Sequence, residues 1–549
     1  MRKFNKYYIL LAAVFFVGFF RGDDDIYLKI AKSIDIFGRV YKEVSLKYVD
    51  KIEPEEFMIS GINGLLSALD PYTVYIDETM QKDIDVITKG KYGGIGASVG
   101  LRNDKVTIVD LIEGYSAQRQ GIRIGDVIKQ IDSVQISPEN YDELSSYLKG
   151  EPGTLVSVII ARDGYENDIV FNLVREEVEL KNLTYYGFFP AHSGNVYLKL
   201  SGFSRTAGEE IKQALFELKK ERPLESVILD LRGNPGGLLD AAIDVSEKFL
   251  NKNQLVVSVI GRDTSKVTKY FAQETPVADS TKLIVLVDGS SASASEIVAG
   301  AIQDHDRGVI LGERSFGKGL VQTLVPLTYN TSLKITTSKY FTPSGRSIQR
   351  IDYAKDNDVF MEVGIQVDSS EFATDRKRVV FSGGGILPDT IVTNTSQSGL
   401  VRNLIAGGTF FKFATNYFNT HENTEIAKIS DSEYLNKFYE YLDKNGFNYS
   451  SRVENLIEEL KKAGAKENYT GEFEAKLADL EKLSHKLKKE ELQNYSDDIV
   501  SEIKKELASR VDGREGRIRE SLKYDKQILA ALSLVNNEVA FNKMLNVSY

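Results

Sequence analysis

The 549-residue chain contains no cysteine. That excludes disulfides, thiolate metal sites, a cysteine nucleophile and a lipid-modified cysteine. Histidine is nearly as scarce. His192, His305, His421 and His485 are the only four, so any chemistry needing an imidazole must use one of them. There is no basic excess either. The formal net charge of −10 argues against a general nucleic-acid binder, which needs a cationic face to displace counterions. No internal repeat or long low-complexity linker is present. What remains is 42% hydrophobic and 27% charged, the balance of a soluble globular protein. At roughly 150 residues per domain the length predicts three to four domains.

Arg2, Lys3 and Lys6 precede an apolar run over 7–20, which Arg21 and Asp23 to Asp25 end. As a helix this run is about 21 Å long, short of the ~30 Å hydrocarbon core. Basic residues before a short apolar stretch read as a secretory signal over 1–22. No small-x-small cleavage site follows, so an uncleaved inner-membrane anchor is the other reading. Either places the rest of the chain outside the cytoplasm, in a periplasm-like space.

Residues 26–84 read as helical, with Ile26, Ile30, Ile34 and Phe37 at helical spacing. Residues 85–178 are β-rich and punctuated by glycine. Over 183–392 apolar strands such as 227–231, 283–287 and 309–311 alternate with helical segments, the pattern of a largely parallel sheet. Residues 400–549 are polar, aromatic-containing and helical. Charged amphipathic helices of this kind usually form solvated surface over a small core, and these could also cover the active-site edge of the preceding sheet, form a dimer or recruit an adaptor.

Two motifs mark the β-rich segment. The loop Gly93-Gly94-Ile95-Gly96 lets successive backbone N–H groups converge on one point, which suits a carboxylate. Gly125-Asp126-Val127-Ile128 follows, then a helix. A strand edge beside a helix can accept an extended peptide as an added strand. As a dinucleotide fingerprint the loop fails, because Val99 stands where the third glycine belongs and a strand follows. With both motifs in order, the segment resembles a PDZ domain. Gly93, Gly94, Ile95 and Gly96 are then the expected peptide-binding residues.

Three further segments each follow a strand. They are Asp230-Leu231-Arg232-Gly233-Asn234-Pro235-Gly236-Gly237, Ser290-Ser291-Ala292-Ser293-Ala294-Ser295-Glu296, and Gly312 to Gln322. In a parallel sheet those strand ends share the edge where open α/β folds bind ligands. A serine and Lys318, 25 residues apart, can meet there. A serine hydroxyl needs a base, and a lysine serves once burial or its neighbours favour the neutral amine. Helix N-termini and the Gly236-Gly237 turn offer N–H groups to an oxyanion. Gln322 could orient the amine. Pairing Ser293 with His305 instead fails on distance, since 12 helical residues span about 18 Å. Gly312-x-x-x-x-Gly317-Lys318 approaches a phosphate loop, but Gly319 replaces its Ser or Thr and a strand-like run follows. Ser315-x-x-Lys318 fits the penicillin-binding pattern only in isolation, without that pattern's partner motifs. Taken alone, residues 290–295 could be a mere helix cap.

Together these segments resemble the carboxy-terminal processing (tail-specific) proteases. Leu69-Asp70-Pro71-Tyr72-Thr73-Val74-Tyr75, Tyr340-Phe341-Thr342-Pro343-Ser344-Gly345-Arg346-Ser347-Ile348-Gln349 and Gly384-Gly385-Ile386-Leu387-Pro388-Asp389 extend the resemblance over roughly 30–392. It implies a multidomain α/β protein: a crotonase/ClpP-like protease core with an inserted PDZ domain, flanked by helical N- and C-terminal regions. It also implies a serine endopeptidase with Ser293 as nucleophile, Lys318 as base and Gln322 in support. The oxyanion donors would be the amides of Ala294 and of Gly236 or Gly237. No metal or organic cofactor is expected, and the partners are peptides with a free C-terminus. The rival readings are a non-catalytic PDZ scaffold on a degenerate protease fold and, less compatible with export, an acyl-CoA enzyme.

Overall fold

The computed structural model describes residues 24–78, 80–81, 90–102, 104–351, 353, 370–393, 399–420, 430–447 and 451–547. The expected signal or anchor over 1–22 lies outside them. The chain divides into two compact units.

Among the described residues the smaller unit comprises 24–78, 322–336 and 353. Helices Asp24–Lys47 and Pro54–Leu66 form as their spacing predicts, and Tyr41 stacks on Phe57 with ring centroids 5.7 Å apart. On the first of these helices Ile26, Ile30, Ile34 and Phe37 are all exposed. The Asp70-Pro71 break is a turn in which the Asp70 carboxylate accepts the amides of Tyr72 and Thr73 and the Thr73 hydroxyl. Strand Val74–Ile76 follows and pairs antiparallel with residues 332–334.

The larger unit begins with the β-rich domain. Strands Ala97–Arg102, Lys105–Leu111, Val127–Ile131, Leu155–Ala161 and Ile169–Val174 make an antiparallel sheet in that order, so Ala97–Arg102 is an edge strand. In Leu155–Ala161 the pleat turns Val156, Val158 and Ile160 inward, where they pack on Ile108, Ile128 and Leu173. The short helices Pro138–Glu143 and Leu144–Leu148 flank the sheet. Asp126, at the diagnostic Gly-Asp-Val-Ile, is buried. Its carboxylate takes both Nε and an NH2 of Arg162 at 2.8 Å and the Arg123 amide at 2.8 Å.

The α/β part of this unit is a six-stranded sheet in the order Leu183–Phe188, Asn195–Leu200, Ser226–Asp230, Lys282–Val287, Val309–Gly312, Thr390–Ile391. Only the first pair is antiparallel. Helices Ala207–Glu221, Leu239–Glu247 and Ala294–Asp304 cover one face through Ile211, Val245 and Val298. Parallel strands are apolar on both faces, so the other face needs a cover too. The last two helices, Lys526–Val535 and Glu538–Met544, supply it. Ile528, Leu532 and Phe541 pack against Ile228, Ile284 and Leu311. The end of the region expected to be peripheral surface is therefore part of this sheet's packing. The intervening helices enclose their own core around Phe410, Phe413, Tyr434, Phe438 and Ile503.

Removing Asp126 leaves the Arg162 guanidinium buried without its counter-ion, a loss of about 3–5 kcal/mol. Asp126→Ala is expected to accelerate hydrogen exchange throughout Val127–Ile131 and Leu155–Ala161. Protection there equal to wild type would contradict this reading.

Candidate active site

The three motif segments emerge at the carboxyl ends of parallel strands Ser226–Asp230, Lys282–Val287 and Val309–Gly312. The first is anchored at its root. Asp230 is buried and accepts the Tyr197 hydroxyl at 2.7 Å and the Arg232 guanidinium. Burial alone would raise its pKa, but Arg232 and Lys199 hold the carboxyl well below the usual range. Asn234 then ties the first segment to the second. Its carbonyl accepts the Ala292 amide at 3.1 Å and the Ser295 hydroxyl at 2.9 Å, while its side chain bridges Leu200 O and the Gly236 amide. Gly236 has φ = 100°, and a Cβ there would lie 2.6 Å from Ala292 O and 3.0 Å from Ser293 Cβ. Only glycine fits both the backbone and the space.

Ser293 sits at the N-terminus of helix Ala294–Asp304 with φ = 54° and ψ = −111°, a conformation unusual for a residue with a side chain. Strain of this kind is held by its surroundings and is common where a nucleophile is presented on a sharp turn. Its neighbours are committed elsewhere. The Ser291 hydroxyl donates to Leu231 O and the Ser295 hydroxyl to Asn234 O, both buried, whereas Ser293 is only half-buried.

The pivotal group is the carboxylate of Glu296, fully buried one turn into the same helix. Its Oε2 accepts the Ser293 amide and the Lys318 amide, each at 2.9 Å. Its Oε1 accepts the Gly317 amide at 2.7 Å and the Ser315 hydroxyl at 2.5 Å. One oxygen thus holds the backbones of Ser293 and Lys318 side by side. Tyr340 repeats the arrangement on the carbonyl side, its hydroxyl shared between Ser293 O at 3.1 Å and Lys318 O at 2.6 Å. Burial pushes the Tyr340 pKa far above its ordinary value, so the group stays a donor. Burial also pushes the Glu296 carboxyl up to about 7, against the pull of the hydroxyl and three amides that favour its charge.

The remaining motifs hold the other end of the serine helix. Arg346, fully buried, donates to Gln303 Oε1 at 2.7 Å and Asp304 Oδ1 at 2.8 Å. Asp389 accepts Gln303 Nε2 at 2.9 Å, the Ile310 amide at 2.8 Å and Arg378 at 2.6 Å. His305 lies at that far end, its Nδ1 2.8 Å from Asp375 and its Nε2 2.8 Å from Leu255 O. Ser315 is buried between Glu296 and the Ile386 amide.

Ser293, Ala294, Gly236, Gly237 and Lys318 are thereby gathered at one strand edge. Gln322 belongs to the smaller unit, where its amide donates to Thr336 Oγ1 at 3.2 Å. Gly93 and Gly94 lie in strand Lys91–Gly94, paired with Glu176–Glu179. Ile95 is 2% exposed and packs inside the β domain, and the Gly93, Ile95 and Gly96 carbonyls accept the amides of Gly150, Ala117 and Ile112. Glu296, Tyr340 and Asn234 had no assigned role on the sequence alone. The signal for Glu296 was its place three residues after a capping serine. Among the described residues, no three His, Asp or Glu are grouped to hold a metal ion.

A family model for peptidase family S41 matches residues 195–359, one for a PDZ domain matches 107–162, and one described as "Probable PDZ-protease, C-terminal helical domain" matches 400–535. The carboxy-terminal-processing protease of Bartonella bacilliformis is 38% identical over 329 residues, covering 59% of this chain and 74% of the relative. The carboxy-terminal processing protease CtpB of Bacillus subtilis is 32% identical, covering 58% and 66%. A solved photosystem II D1 C-terminal processing protease is 24% identical, with coverage of 65% and 92% and a TM-score of 0.35. The chain belongs to the carboxy-terminal processing proteases of family S41 and is a serine-type peptidase with a PDZ domain.

A carboxyl whose pKa is raised on folding contributes stability that is full below an ordinary glutamate's 4.5 and is lost as pH rises through about 7. The loss amounts to roughly 3 kcal/mol at 1.36 kcal/mol per unit. The stability difference between wild type and Glu296→Gln is therefore expected to change by that order between pH 4.5 and 8. Activity should run the other way, because only the ionised carboxylate accepts all four donors. A difference that stays flat across this range would refute the assignment.

Proposed function

We propose that this enzyme cleaves protein substrates with Ser293 as nucleophile and Lys318 as general base. The observation that carries this reading is the pair of bridges, Glu296 Oε2 and Tyr340 Oη, each shared by the two residues. Ser293 Oγ attacks the scissile carbonyl as its proton passes to Lys318 Nζ. The amine returns that proton to the leaving nitrogen, and water, deprotonated in the same way, hydrolyses the acyl-enzyme. The oxyanion is assigned to the amides of Ala294 and Gly237, since the Gly236 amide is already given to Asn234 Oδ1. Gln322 is assigned to orienting the lysine amine.

The PDZ domain is assigned to capture of substrate C-termini. The peptide would add to the Ala97–Arg102 edge with its carboxylate at the 93–96 loop, Ile95 contributing through its amide because its side chain faces the core. Export through residues 1–22 to a periplasm-like space, with or without retention in the inner membrane, completes the proposal. Among the described residues no helix is long and apolar enough to cross a membrane.

Ser293→Ala and Lys318→Ala are each expected to reduce cleavage by orders of magnitude, with the double variant little worse than either. His305→Ala should remain active. Normal cleavage by Lys318→Ala, or retained activity in Ser293→Ala with loss in Ser315→Ala, would overturn the pair. Silence of the wild type toward peptides and serine-directed phosphonates alike would favour a non-catalytic scaffold.

Tail capture is tested by anisotropy on the uncleaving Ser293→Ala chain with matched acid and amide peptides. Charge-assisted hydrogen bonds of about 1.5–3 kcal/mol predict a roughly tenfold to hundredfold loss on amidation. Equal binding would remove this role from the domain.

A further inference from the structure

The turn over 231–237 leaves strand Ser226–Asp230 through Arg232, and every polar group of that residue is engaged. Its amide and Nε donate to Asp230 Oδ1 at 2.9 and 3.0 Å, and one terminal nitrogen donates to Asp230 Oδ2 at 2.6 Å. Its carbonyl accepts Lys199 Nζ at 2.6 Å. The other terminal nitrogen crosses to the C-terminal helices, donating to Asp525 Oδ2 at 2.8 Å and to Gln527 Oε1 at 2.7 Å. The charges of this cluster balance, Arg232 and Lys199 against Asp230 and Asp525.

Both C-terminal partners are themselves fixed. Asp525 is the N-cap of helix Lys526–Val535. Its Oδ1 accepts the amides of Gln527 and Ile528 at 2.9 and 3.1 Å, which leaves Oδ2 for Arg232. Gln527 is 1% exposed, and its Nε2 donates to Val392 O at 2.6 Å. Capping alone does not require the second oxygen, since asparagine or serine caps a helix as well as aspartate. Nor does stability require an ion pair in so enclosed a place, where apolar residues often do as well. What the pair adds is direction: a planar guanidinium gripped along two edges cannot turn.

We propose that Asp525 and Gln527 are positioning residues of the protease site, acting through Arg232 on the turn that presents the Gly237 amide, a role that rests on assigning that amide to the oxyanion. Such a donor works only when set in advance about 2.7–3.1 Å from where the charge develops. The downstream end of the turn is fixed by the bridge between Gly237 and Phe203 and by the Leu238 amide on Phe203 O at 2.8 Å. The upstream end is fixed at Arg232. Removing an oxyanion donor outright costs about 10²–10³ in kcat, so loosening one end of its turn is expected to cost about tenfold.

Asp525→Asn tests this in the full-length chain. Asparagine keeps the helix cap but turns an amide nitrogen toward Arg232 in place of Oδ2. On a peptide substrate kcat is expected to fall about tenfold with KM within about twofold, the pattern of an interaction made in the transition state. Labelling by a serine-directed phosphonate, whose phosphoryl oxygen takes the place of the oxyanion, should slow by a similar factor. Val535→Ala, about 15 Å away at the other end of the same helix, is the control for stability. It should lower the melting midpoint at least as much and leave kcat unchanged. Arg232→Lys keeps the charge but cannot span both sets of partners. It should lower kcat at least as far as Asp525→Asn, and the double variant should be little worse than Arg232→Lys alone. Wild-type kcat in Asp525→Asn, an equal loss in Val535→Ala, or losses that multiply in the double variant would each overturn the positioning role. Ser293→Ala run alongside separates the two readings. If it is inactive, wild-type kcat in Asp525→Asn overturns the positioning role alone; if it stays active, both fall.

Discussion

One buried carboxylate organises the catalytic end of this protein. Glu296 lies on the helix that begins at Ser293, yet its acceptors reach the loop that follows a different strand. It ties the serine turn to the lysine loop, alongside the Phe316 amide on Ser291 O. The group is costly to bury, as its raised pKa records, and its neighbours return part of that cost through four hydrogen bonds. Tyr340 adds a constraint of opposite polarity, a single donor between two carbonyls. Geometry at the site is thus fixed by polar groups inside a nearly apolar surround, where each such contact is stronger than in water.

Pinning at both ends makes the serine helix a rigid strut. Gln303 and Asp304 at its far end are held by Arg346, and Asp389 closes that cluster against Ile310. Arg346 and Asp389, from the motifs after the active-site segments, thus brace the helix that begins at Ser293. His305 lies at its far end.

Much of this was legible beforehand because it depends on local pattern. Strand-helix alternation announced the sheet, glycines announced tight turns, and Ser293 and Lys318 stood at the ends of two strands that had to be neighbours. What was not legible depends on contacts distant in the chain. The helical spacing around Ile30 and Phe37 was correct, but spacing cannot say whether such residues are buried. Ile95 was expected among the peptide-binding residues, but its side chain packs inside the β domain against residues far away in the chain. Likewise, nothing in the charged pattern after residue 400 showed that Ile528 and Phe541 complete the catalytic sheet. That became clear only when the second apolar face of the parallel strands had to be covered.

The bridge from Arg232 to Asp525 and Gln527 has a consequence for the order in which the enzyme is made. Arg232 stands in the turn that bears Gly236 and Gly237, and its partner Asp525 comes 293 residues later. The sheet face beneath that turn is closed by the same late helix. Until residues 525–547 have docked, Arg232 lacks its partner and the sheet face at Ile228, Ile284 and Leu311 lacks its cover, so the turn carrying Gly236 and Gly237 is completed only by a helix 293 residues further along the chain.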